Sequence, residues 1–577
     1  MTDYFYPTAL RQVFTNRERE LALLDLLCEQ AQAGKPQRLA LSGLRRIGKT
    51  VLLKEFIVRT LAAADGVQPV YVNCEEITTS PENFAVGLVG SVCYWVLTHG
   101  QTNPRPFFKL DSLLLEALPH PSAAIRETLG LLQTELRAQT PDRPFLLRLT
   151  FDLAETWAKE NGRKLLLILD EFPEYQTLAN YPETRNAVAL FRSFCQAANE
   201  VSVILAGSAI SVMERLMADP TSPLFLQFQR LSLEPFSPDA SAALARKLLA
   251  DLPAPADPAV IAEIRRLSGG HPYYIAQLCD RLARLALLAE APVDATLARQ
   301  AFLAETLSPS GGIYGFCKYV YDLSLQRARG YGTIKTILQL LAEEEPLSIA
   351  RVARRLRVSD PTAREYLRWL LEVDLIQEVE GGYAHRDPVL RFWIAHTAVG
   401  IEVGPFPRRE EVRDLLARLE EGFQRTSTEP GIAKESQIRE LMEQFAGQQV
   451  DGAIFGAAGS VQLPRFRRVQ PYRSANGQVE VAVLAEADST GSATAPEESV
   501  TADESWVAEI KWRGRLAGKK DLARLEVKAR ALAARPWFIS KEGFTPEALA
   551  YAHAAGIRIS AREDIERLTR AVGETTR

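Results

Sequence analysis

The sequence has few cysteines and no long apolar run, and each shortage excludes a class of protein. Its 577 residues include 6 cysteines, and no two of them stand at the C-x-x-C spacing of a zinc or redox site. So few scattered thiols support no disulfide framework and indicate a reducing compartment. No apolar run reaches the ~18 residues that a membrane-spanning helix needs. The N-terminal MTDYFYPTALRQVF lacks the pattern of a signal peptide, so we expect a cytoplasmic protein without membrane partners.

An excess of charge is also lacking. The formal net charge is −4, which excludes a uniformly basic nucleic-acid coat but leaves room for a local basic surface. Hydrophobic residues make up 47% and charged residues 24%, which is ordinary globular usage and excludes bulk disorder. At ~150 residues per domain, the length predicts several domains.

Apolar strands and amphipathic helices alternate over the first 236 residues, which predicts an α/β fold with a parallel sheet covered on both faces. The strands are predicted at 38–43, 69–74, 164–172 and 201–209. Residues 84–160 are mostly helical and are interpreted as an insertion.

Later composition predicts three further domains. Helices alone suggest a helical lid at 237–325, and three helices before a turn at Gly381-Gly382 suggest a winged helix at 326–400. A separate α/β domain follows at 405–577, with an acidic, Ser/Thr-rich loop at 487–505 predicted to lack regular structure.

The first motif that carries chemistry is GLRRIGKT at 43–50, which has the spacing G-x-x-x-x-G-K-[ST] between a strand and a helix. Gly43 and Gly48 let backbone N–H groups face a phosphate, and the helix N-terminus adds its dipole. Lys49 would reach the terminal phosphates, and Thr50 would offer its hydroxyl to Mg²⁺. The motif therefore predicts a P-loop ATPase domain, in residues 1–236, with ATP and Mg²⁺ as cofactors.

Two acidic residues, Asp170 and Glu171, follow the buried strand LLLIL. Asp170 would hold the metal through water, and Glu171 would orient or deprotonate the attacking water. A solvated acidic pair after a core strand is the simpler alternative. Ser208, after the next strand, either senses the γ-phosphate or belongs to a small-residue turn.

Over roughly residues 12–400, these motifs resemble the archaeal-type ATPases of the STAND group, relatives of the AAA+ origin-recognition initiators. FTNRERELALL matches the F-x-x-R-E-x-E-L box, which in that family lies near the adenine. The family's G-R-R-R-x-G-K-T loop keeps Arg45 and Arg46 here, while Leu44 replaces one arginine. The resemblance implies ATP hydrolysis and nucleotide contacts for both arginines.

The same resemblance extends to the lid and to the sensor strand. LSGGHPYYI matches the G-G-x-P turn that opens a lid helix, which implies that His271 and Pro272 lie near the nucleotide; an ordinary turn between helices is the alternative. Where the family has P-L-Y-G-R, this chain reads PLFLQFQR, with Gln227 in place of the arginine. Arg230 is the candidate substitute.

The predicted winged helix is rich in arginine, and HRDPVLRFW after it matches the family's D-P-x-x-R-F-W segment. Its arginines either contact DNA phosphates or are solvated on a packing module. They are Arg351, Arg354, Arg355, Arg357, Arg364 and Arg368.

The C-terminal region resembles the restriction-endonuclease-like PD-(D/E)xK fold. The resemblance implies that Glu480, Glu509 and Lys511 bind Mg²⁺ and orient water at a phosphodiester, with Glu440 as a further candidate ligand. We predict that QVEVAVLAE and SWVAEIKW form an antiparallel hairpin. If Val479, Val481 and Val483 all face the core, Glu480 shares a sheet face with Glu509.

The leading hypothesis is an ATP-driven switch that controls a nuclease-like effector acting on nucleic acid, above all DNA. A role in defence against mobile DNA or in genome maintenance fits it, and candidate partners include further copies of this chain and a protein trigger. The alternative is an ATP-gated DNA-binding or scaffold protein with an inactive nuclease fold.

Overall fold

The computed structural model divides into two compact units, each considered separately below. The first unit contains Met1–Pro235 and Ala240–Pro407, and the second contains Phe236–Asp239 and Arg408–Arg577. The residues that the structure describes are 5–63, 66–252, 257–289, 293–326, 331–379, 381–408, 410–417, 419, 438–439, 441–473, 480–487, 505–512 and 516–574. The predicted loop at 487–505 lies outside them except for its two end residues.

The elements before residue 400 alternate as predicted up to the end of the first sheet, and helices dominate thereafter. The strands are β1 Arg38–Gly43, β2 Val67–Asn73, β3 Lys164–Asp170, β4 Val201–Gly207, β5 Gln229–Leu233, β6 Ile376–Val379 and β7 Gly382–His385. The helices are α1 Thr8–Val13, α2 Glu18–Gln32, α3 Lys49–Ala63, α4 Cys74–Ile77, α5 Pro81–Thr98, α6 Leu110–Ala117, α7 Ala123–Leu136, α8 Arg143–Asn161, α9 Ala187–Ala197, α10 Ile210–Ala218, α11 Pro238–Leu248, α12 Pro258–Ser268, α13 Pro272–Ala289, α14 Ala295–Leu307, α15 Gly312–Gln326, α16 Tyr331–Glu343, α17 Ile349–Leu356, α18 Asp360–Glu372 and α19 Pro388–Thr397. Short 3-10 helices lie at Arg105–Phe108, Phe172–Asn180 and Pro182–Thr184.

The first sheet is parallel and has the strand order β2-β3-β4-β1-β5. Its inner strands are buried on both faces, as expected for parallel strands covered by helices on both sides. Because β4 lies between β1 and β3, the carboxyl ends of these three strands meet at one edge. There Ser42 pairs with Gly207, and Asn73 of β2 pairs with Asp170. Ligands of open parallel sheets bind at such an edge.

The helices α5 to α8 fill the long connection between β2 and β3, where the sequence predicts an insertion. Their apolar residues, such as Phe84 and Leu146, belong to the same buried cluster as the sheet residue Leu167. The insertion therefore extends the core of the sheet.

The part of the chain from 331 to 397, called the helix–hairpin segment below, contains α16, α17 and α18, then an antiparallel hairpin of β6 and β7, then α19. These are the element types that the winged-helix prediction requires, in the same order. Ser348 and Ser359 cap α17 and α18 by accepting backbone hydrogen bonds. The assignment as a winged helix stays a prediction.

The second unit contains a mixed sheet with the strand order β10-β11-β12-β13-β14. Its strands are β8 Gln449–Asp451, β9 Ser460–Gln462, β10 Phe466–Arg473, β11 Glu480–Ala487, β12 Trp506–Lys511, β13 Arg535–Ser540 and β14 Arg558–Ala561; its helices are a 3-10 helix Gly452–Phe455, α20 Lys519–Ala531, α21 Pro546–Ala555 and α22 Arg562–Glu574. The predicted antiparallel pairing of β11 with β12 is confirmed, and β12 and β13 are parallel. Separate apolar clusters cover the two faces.

The condition that Val481 and Val483 share a face is not met, and Val479 lies outside the described residues. Val481 packs in the cluster that contains Val507, whereas Val483 packs in the cluster that contains Ala508. The reason is an irregularity: between the pairs Gln470↔Leu484 and Tyr472↔Val481, β11 has one residue more than β10. An extra residue of this kind breaks the period-two alternation of a strand.

Among the residues that the structure describes, no helix is long and apolar enough to cross a membrane.

Candidate functional site

The loop between β1 and α3 has the backbone that the glycines of GLRRIGKT allow. Gly43 ends β1, and a Cβ atom there would lie 2.9 Å from the carbonyl oxygen of Leu233. Gly48 has φ +104° with open space around it, so the conformation and not crowding requires glycine. The chain can therefore curl tightly before α3, which begins at Lys49.

Lys49 is folded onto this loop. Its Nζ donates to the carbonyl oxygens of Gly43 at 2.9 Å and Leu44 at 3.0 Å, and the residue is only 4% exposed. Burial lowers the pKa of Lys49, while the negative charges of Glu171 and Asp170 oppose that shift. The buried Lys49 ammonium group is little hydrated and can therefore bind an anion such as a phosphate.

Asp170 accepts hydrogen bonds on both carboxylate oxygens. Its Oδ2 accepts from the Thr50 hydroxyl at 2.7 Å and from the Tyr71 hydroxyl at 2.8 Å. Its Oδ1 accepts from the backbone N–H of Glu171 at 3.0 Å. Burial and the Asp170 charge hold the pKa of Tyr71 well above its usual range, so the hydroxyl keeps its proton. The sequence motifs assign Thr50 and Asp170 to the same metal site, but they do not indicate that Tyr71 contacts it.

Glu171 is turned towards β4. Its Oε2 accepts from the backbone N–H of Ser208 at 3.1 Å and from the Ser208 hydroxyl at 2.9 Å. Its backbone has φ +48°, a left-handed conformation that is uncommon for glutamate and is often found at functional sites. The two candidates that the sequence placed after different strands are therefore in contact.

Arg45 and Arg46 lie against aromatic rings of α13 and α15. The guanidinium carbon of Arg46 is 4.3 Å from the ring centre of Tyr273 and 4.9 Å from that of Phe316. The Arg45 guanidinium donates to the Tyr319 hydroxyl at 3.4 Å. These cation–π contacts tie the loop to α13 and α15.

His271, just before α13, contacts the loop backbone. Its Nε2 lies 3.1 Å from the carbonyl oxygen of Arg45, and burial lowers its pKa to about 3. The imidazole is therefore neutral near pH 7, and because a carbonyl only accepts, Nε2 must carry the proton. Pro272 then begins α13. The G-G-x-P turn therefore contacts the loop through a hydrogen bond from His271 to the backbone, and its proximity to the nucleotide stays a prediction.

Arg17, from the box that opens the domain, is buried beside the loop. Its guanidinium donates to the carbonyl oxygen of Glu234 at 2.8 Å, to that of Ile47 at 3.4 Å and to Glu20 at 3.0 Å. Three acceptors around one planar cation fix the end of β5 against the loop.

A contact that the sequence did not indicate joins α10 to the helix–hairpin segment. Helix α10 begins two residues after Ser208, and its own N-cap residue makes no side-chain bond. Asp374 supplies the cap: its carboxylate accepts from the Ser211 backbone N–H at 3.1 Å and from the Ser211 hydroxyl at 2.7 Å. The same hydroxyl oxygen also lies 2.8 Å from the carbonyl oxygen of Leu371, so its single proton is shared between two acceptors. A carboxylate at a helix N-terminus is favourable because of the unpaired N–H groups there.

Arg230 lies apart from the other candidates. It is exposed and pairs with Ala40, three residues before Gly43 and so ~10 Å from it along the strand. Its role as a substitute for the missing arginine stays a prediction.

In the second unit, Glu509 and Lys511 lie on one face of β12. Lys511 Nζ is 3.3 Å from one Glu509 carboxylate oxygen, and Lys528 Nζ of α20 is 3.1 Å from the other. Glu440 and the side chain of Glu480 lie outside the described part of the chain. The argument that placed Glu480 near Glu509 assumed that Val481 and Val483 share a sheet face, and they do not. That the two glutamate side chains converge therefore stays a prediction. Within the described ranges, no cluster of three or more His, Cys, Asp or Glu residues that would hold a metal is present.

The first site fits a magnesium nucleotide. Mg²⁺ prefers hard oxygen ligands and is usually held by one or two carboxylate or hydroxyl groups together with phosphate oxygens. Thr50 and Asp170 provide such oxygens 2.7 Å apart, beside the buried cation of Lys49. A parallel sheet, a glycine loop before a helix and acidic residues at the neighbouring strand end define a P-loop nucleotide-binding domain.

The comparisons with known proteins narrow this class. Residues 14–278 match the family described as an ATPase domain predominantly from Archaea, which supports an archaeal-type P-loop ATPase domain in this part of the chain. No curated protein matches the sequence.

Among solved structures, a Walker-type ATPase of Pyrococcus abyssi is 18% identical, with a TM-score of 0.48, over 66% of this chain and 96% of that chain. The ORC2 protein of Aeropyrum pernix is 16% identical, with a TM-score of 0.40, over 68% and 98%. The ORC1 protein of Aeropyrum pernix in complex with DNA is 14% identical, with a TM-score of 0.34, over 68% and 95%. These TM-scores lie below 0.5, so the family match and the site geometry carry the assignment.

Proposed function

We propose that the chain is an ATP-hydrolysing switch of the STAND type, in which the nucleotide site controls the helix–hairpin segment. The observation that carries this proposal is a pair of hydrogen-bonded contacts, one between Ser208 and Glu171 and the other between Ser211 and Asp374. Ser208 and Ser211 are three residues apart at the start of α10, so a movement at one end is transmitted to the other. We expect the protein to work in the cytoplasm.

Each side chain of the site has a role in ATP hydrolysis under this proposal. Lys49 leaves the carbonyl oxygens of the loop and neutralises the β- and γ-phosphates. Thr50 and Asp170 hold Mg²⁺, which neutralises charge on the phosphates when it is bound with ATP. Glu171 orients the attacking water once its carboxylate leaves Ser208, and Ser208 is then free to report on the γ-phosphate.

A second connection supports the same coupling. The imidazole of His271, which bonds the Arg45 carbonyl, lies 4.4 Å from the ring of Tyr274. The Tyr274 hydroxyl donates to Asp387, which caps α19 by accepting from Val389 N–H at 2.8 Å. The phosphate loop and the site edge at Ser208 are therefore each connected to the helix–hairpin segment.

Removing the cap from α10 tests the coupling. In the parent protein, a non-hydrolysable ATP analogue with Mg²⁺ should change amide hydrogen exchange across Asp360–Glu372. In a variant combining Ser211→Ala with Asp374→Ala, that response should disappear, because the carboxylate and both donors of the contact are uncoupled. ATP affinity should stay within about threefold, since the substituted residues are not part of the phosphate loop.

The matched control is Glu372→Ala, which breaks the exposed ion pair between Glu372 and Arg215, 3.9 Å apart at the same interface. An exposed pair contributes little, so the exchange response should persist. If the double variant responds to the nucleotide as the parent does, the contact does not transmit the nucleotide state.

Double-stranded DNA is the proposed partner of the helix–hairpin segment. Arg364 and Arg368 are exposed on α18, and Arg354 and Arg357 are exposed at the end of α17. Exposed arginines on a helix that enters a groove contact phosphates, and such binding weakens as salt is added. Arg351 and Arg355 instead pair with Glu344, which reduces the charge that they offer. Oligomerisation and a protein trigger are further proposals of the STAND hypothesis.

The second candidate function is metal-dependent cleavage of nucleic acid by the second unit, in defence against mobile DNA or in genome maintenance. Glu509 and Lys511 on β12 and Lys528 on α20 form a compact group of one carboxylate and two ammonium ions. An acidic residue can bind a hard metal there, and a lysine can stabilise charge on a phosphate. If the unit is inert, the protein is an ATP-gated DNA-binding or scaffold protein.

Cleavage of plasmid DNA and of RNA with Mg²⁺ and ATP tests the candidate. Glu509→Ala and Lys511→Ala should each reduce cleavage about a hundredfold, and EDTA should abolish it. Glu542→Ala, which removes an exposed carboxylate 3.7 Å from Lys541, is the control and should cut at the parental rate. Cleavage that survives Glu509→Ala, or no cleavage by the parent protein, would leave the scaffold function.

A further inference from the structure

Tyr71 has a place in the nucleotide site that the resemblance to other ATPases does not assign. It lies on β2, the strand beside β3, two residues before the end of the strand. Its hydroxyl donates to Asp170 Oδ2 at 2.8 Å. The same oxygen accepts from Thr50 at 2.7 Å, so one carboxylate oxygen serves both hydroxyl groups.

The ring of Tyr71 packs against Phe5, and its backbone is bonded by Trp95. Phe5 lies edge-on at 5.4 Å between ring centres, and it also packs against Trp95 at 4.7 Å. The indole N–H of Trp95 donates to the backbone oxygen of Tyr71 at 2.9 Å. Edge-to-face packing against Phe5 restricts the ring, and the hydrogen bond from Trp95 fixes the backbone that carries it, so the two together limit where the Tyr71 hydroxyl can point.

The carboxylate of Asp170 depends on Tyr71 for an anchor that is independent of the metal. Thr50 is itself a proposed metal ligand, so its bond to Asp170 changes when an ion binds. The Glu171 N–H anchors only the other oxygen, Oδ1. Partners of this kind, which touch a metal ligand but not the metal, usually contribute 10–100-fold to metal affinity.

We propose that Tyr71 is a positioning residue for the magnesium ion of the ATPase site, because its hydroxyl fixes the Asp170 carboxylate in the direction that the ion requires. This inference rests on the proposed role of Asp170 and Thr50 as the metal-holding pair. An alternative is that the hydroxyl only satisfies its own hydrogen bond within the core.

Tyr71→Phe separates the two, since it removes one oxygen and keeps the aromatic packing. A fluorescent ATP analogue is titrated with the full-length protein in EDTA and at increasing Mg²⁺. We expect the Mg²⁺ midpoint for tight nucleotide binding to rise about tenfold, with metal-free affinity unchanged. The ratio of the two affinities, measured on one sample, does not depend on the fraction of protein that is folded.

Tyr94→Phe is the matched control, because it removes a hydroxyl that donates to the Thr102 carbonyl at 3.0 Å from a ring that also packs against Trp95. It should keep the parental Mg²⁺ midpoint. Mn²⁺ binding followed by electron paramagnetic resonance should give the same order of affinities. An unchanged midpoint in Tyr71→Phe, or an equal loss with and without Mg²⁺, would overturn the proposal.

Asp170→Asn distinguishes failure of this inference from failure of the proposed metal site. If Asp170→Asn raises the Mg²⁺ midpoint and Tyr71→Phe does not, only the role of Tyr71 is wrong. If neither variant changes the midpoint, Asp170 does not serve the metal. In the Asp170→Asn background, Tyr71→Phe should have no further effect on the midpoint, because coupled residues are non-additive.

Discussion

Lys49→Ala is expected to weaken ATP binding roughly a hundredfold, which corresponds to about 2.7 kcal/mol. The ammonium group is buried at the loop, where it donates to the carbonyl oxygens of Gly43 and Leu44. These neutral acceptors are readily exchanged for charged phosphate oxygens. Without the cation, the β- and γ-phosphates would enter a site that already contains Asp170 and Glu171.

Calorimetric titration with ATP measures the affinity, and the rise in melting temperature on adding ATP gives a second estimate. A ligand at a hundred times its Kd stabilises the folded state by about 2.7 kcal/mol, so the parental shift should be clear and should vanish in Lys49→Ala. Lys164→Ala, at the amino end of β3, removes a lysine that pairs with Glu200 at the other edge of the sheet and should bind normally. Equal ATP affinity in Lys49→Ala and the parent would refute a phosphate role for Lys49.

The sequence was sufficient for the phosphate loop because all the determinants of that loop are local. The motif residues lie within the single segment 43–50, namely Gly43, Gly48, Lys49 and Thr50. The flanking strand β1 and helix α3 are rich in apolar residues. The acidic pair was also recognisable, because Asp170 ends a strand of uninterrupted aliphatic residues. Local propensity and long-range structure agree at these positions.

Strand order explains what the sequence could not reveal. Tyr71 meets Asp170 only because β2 lies beside β3, and Ser211 meets Asp374 across 163 residues. Neither Tyr71 nor Ser211 belongs to a motif, and nothing in the neighbouring sequence distinguishes either of them as a functional residue. Strand β5 was missed because it is an edge strand whose first residues are exposed, so its polar sequence QRLSL lacks the apolar pattern of a buried strand.

The C-terminal hairpin illustrates a different limit. The pairing of β11 with β12 followed correctly from two alternating segments. The sheet face on which Val481 lies could not be predicted in the same way. One extra residue in β11 reverses the alternation of side chains beyond it. A bulge depends on the partner strand, so a sequence pattern read along one strand does not reveal it.

Glu171→Gln is expected to reduce ATP hydrolysis by ~10²–10⁴-fold while MgATP binding stays near the parental value. The carboxylate is the group next to Asp170 that can orient or accept a proton from the attacking water. A glutamine keeps the shape and still accepts hydrogen bonds from Ser208 through its amide oxygen, but it has almost no basicity. The loss should therefore fall on the chemical step, which single-turnover measurement of phosphate release resolves from binding.

Two further variants make this expectation specific to Glu171. Glu174→Gln, three residues further on in the 3-10 helix that Glu171 precedes, should hydrolyse ATP at the parental rate. Ser208→Ala removes the 2.9 Å bond to the Glu171 carboxylate but leaves the 3.1 Å bond from its backbone N–H, so its rate should change by less than about tenfold. If Glu171→Gln hydrolyses ATP at the parental rate, another residue orients the attacking water. The contacts from Glu171 through Ser208 to Asp374 would then not begin at a catalytic residue.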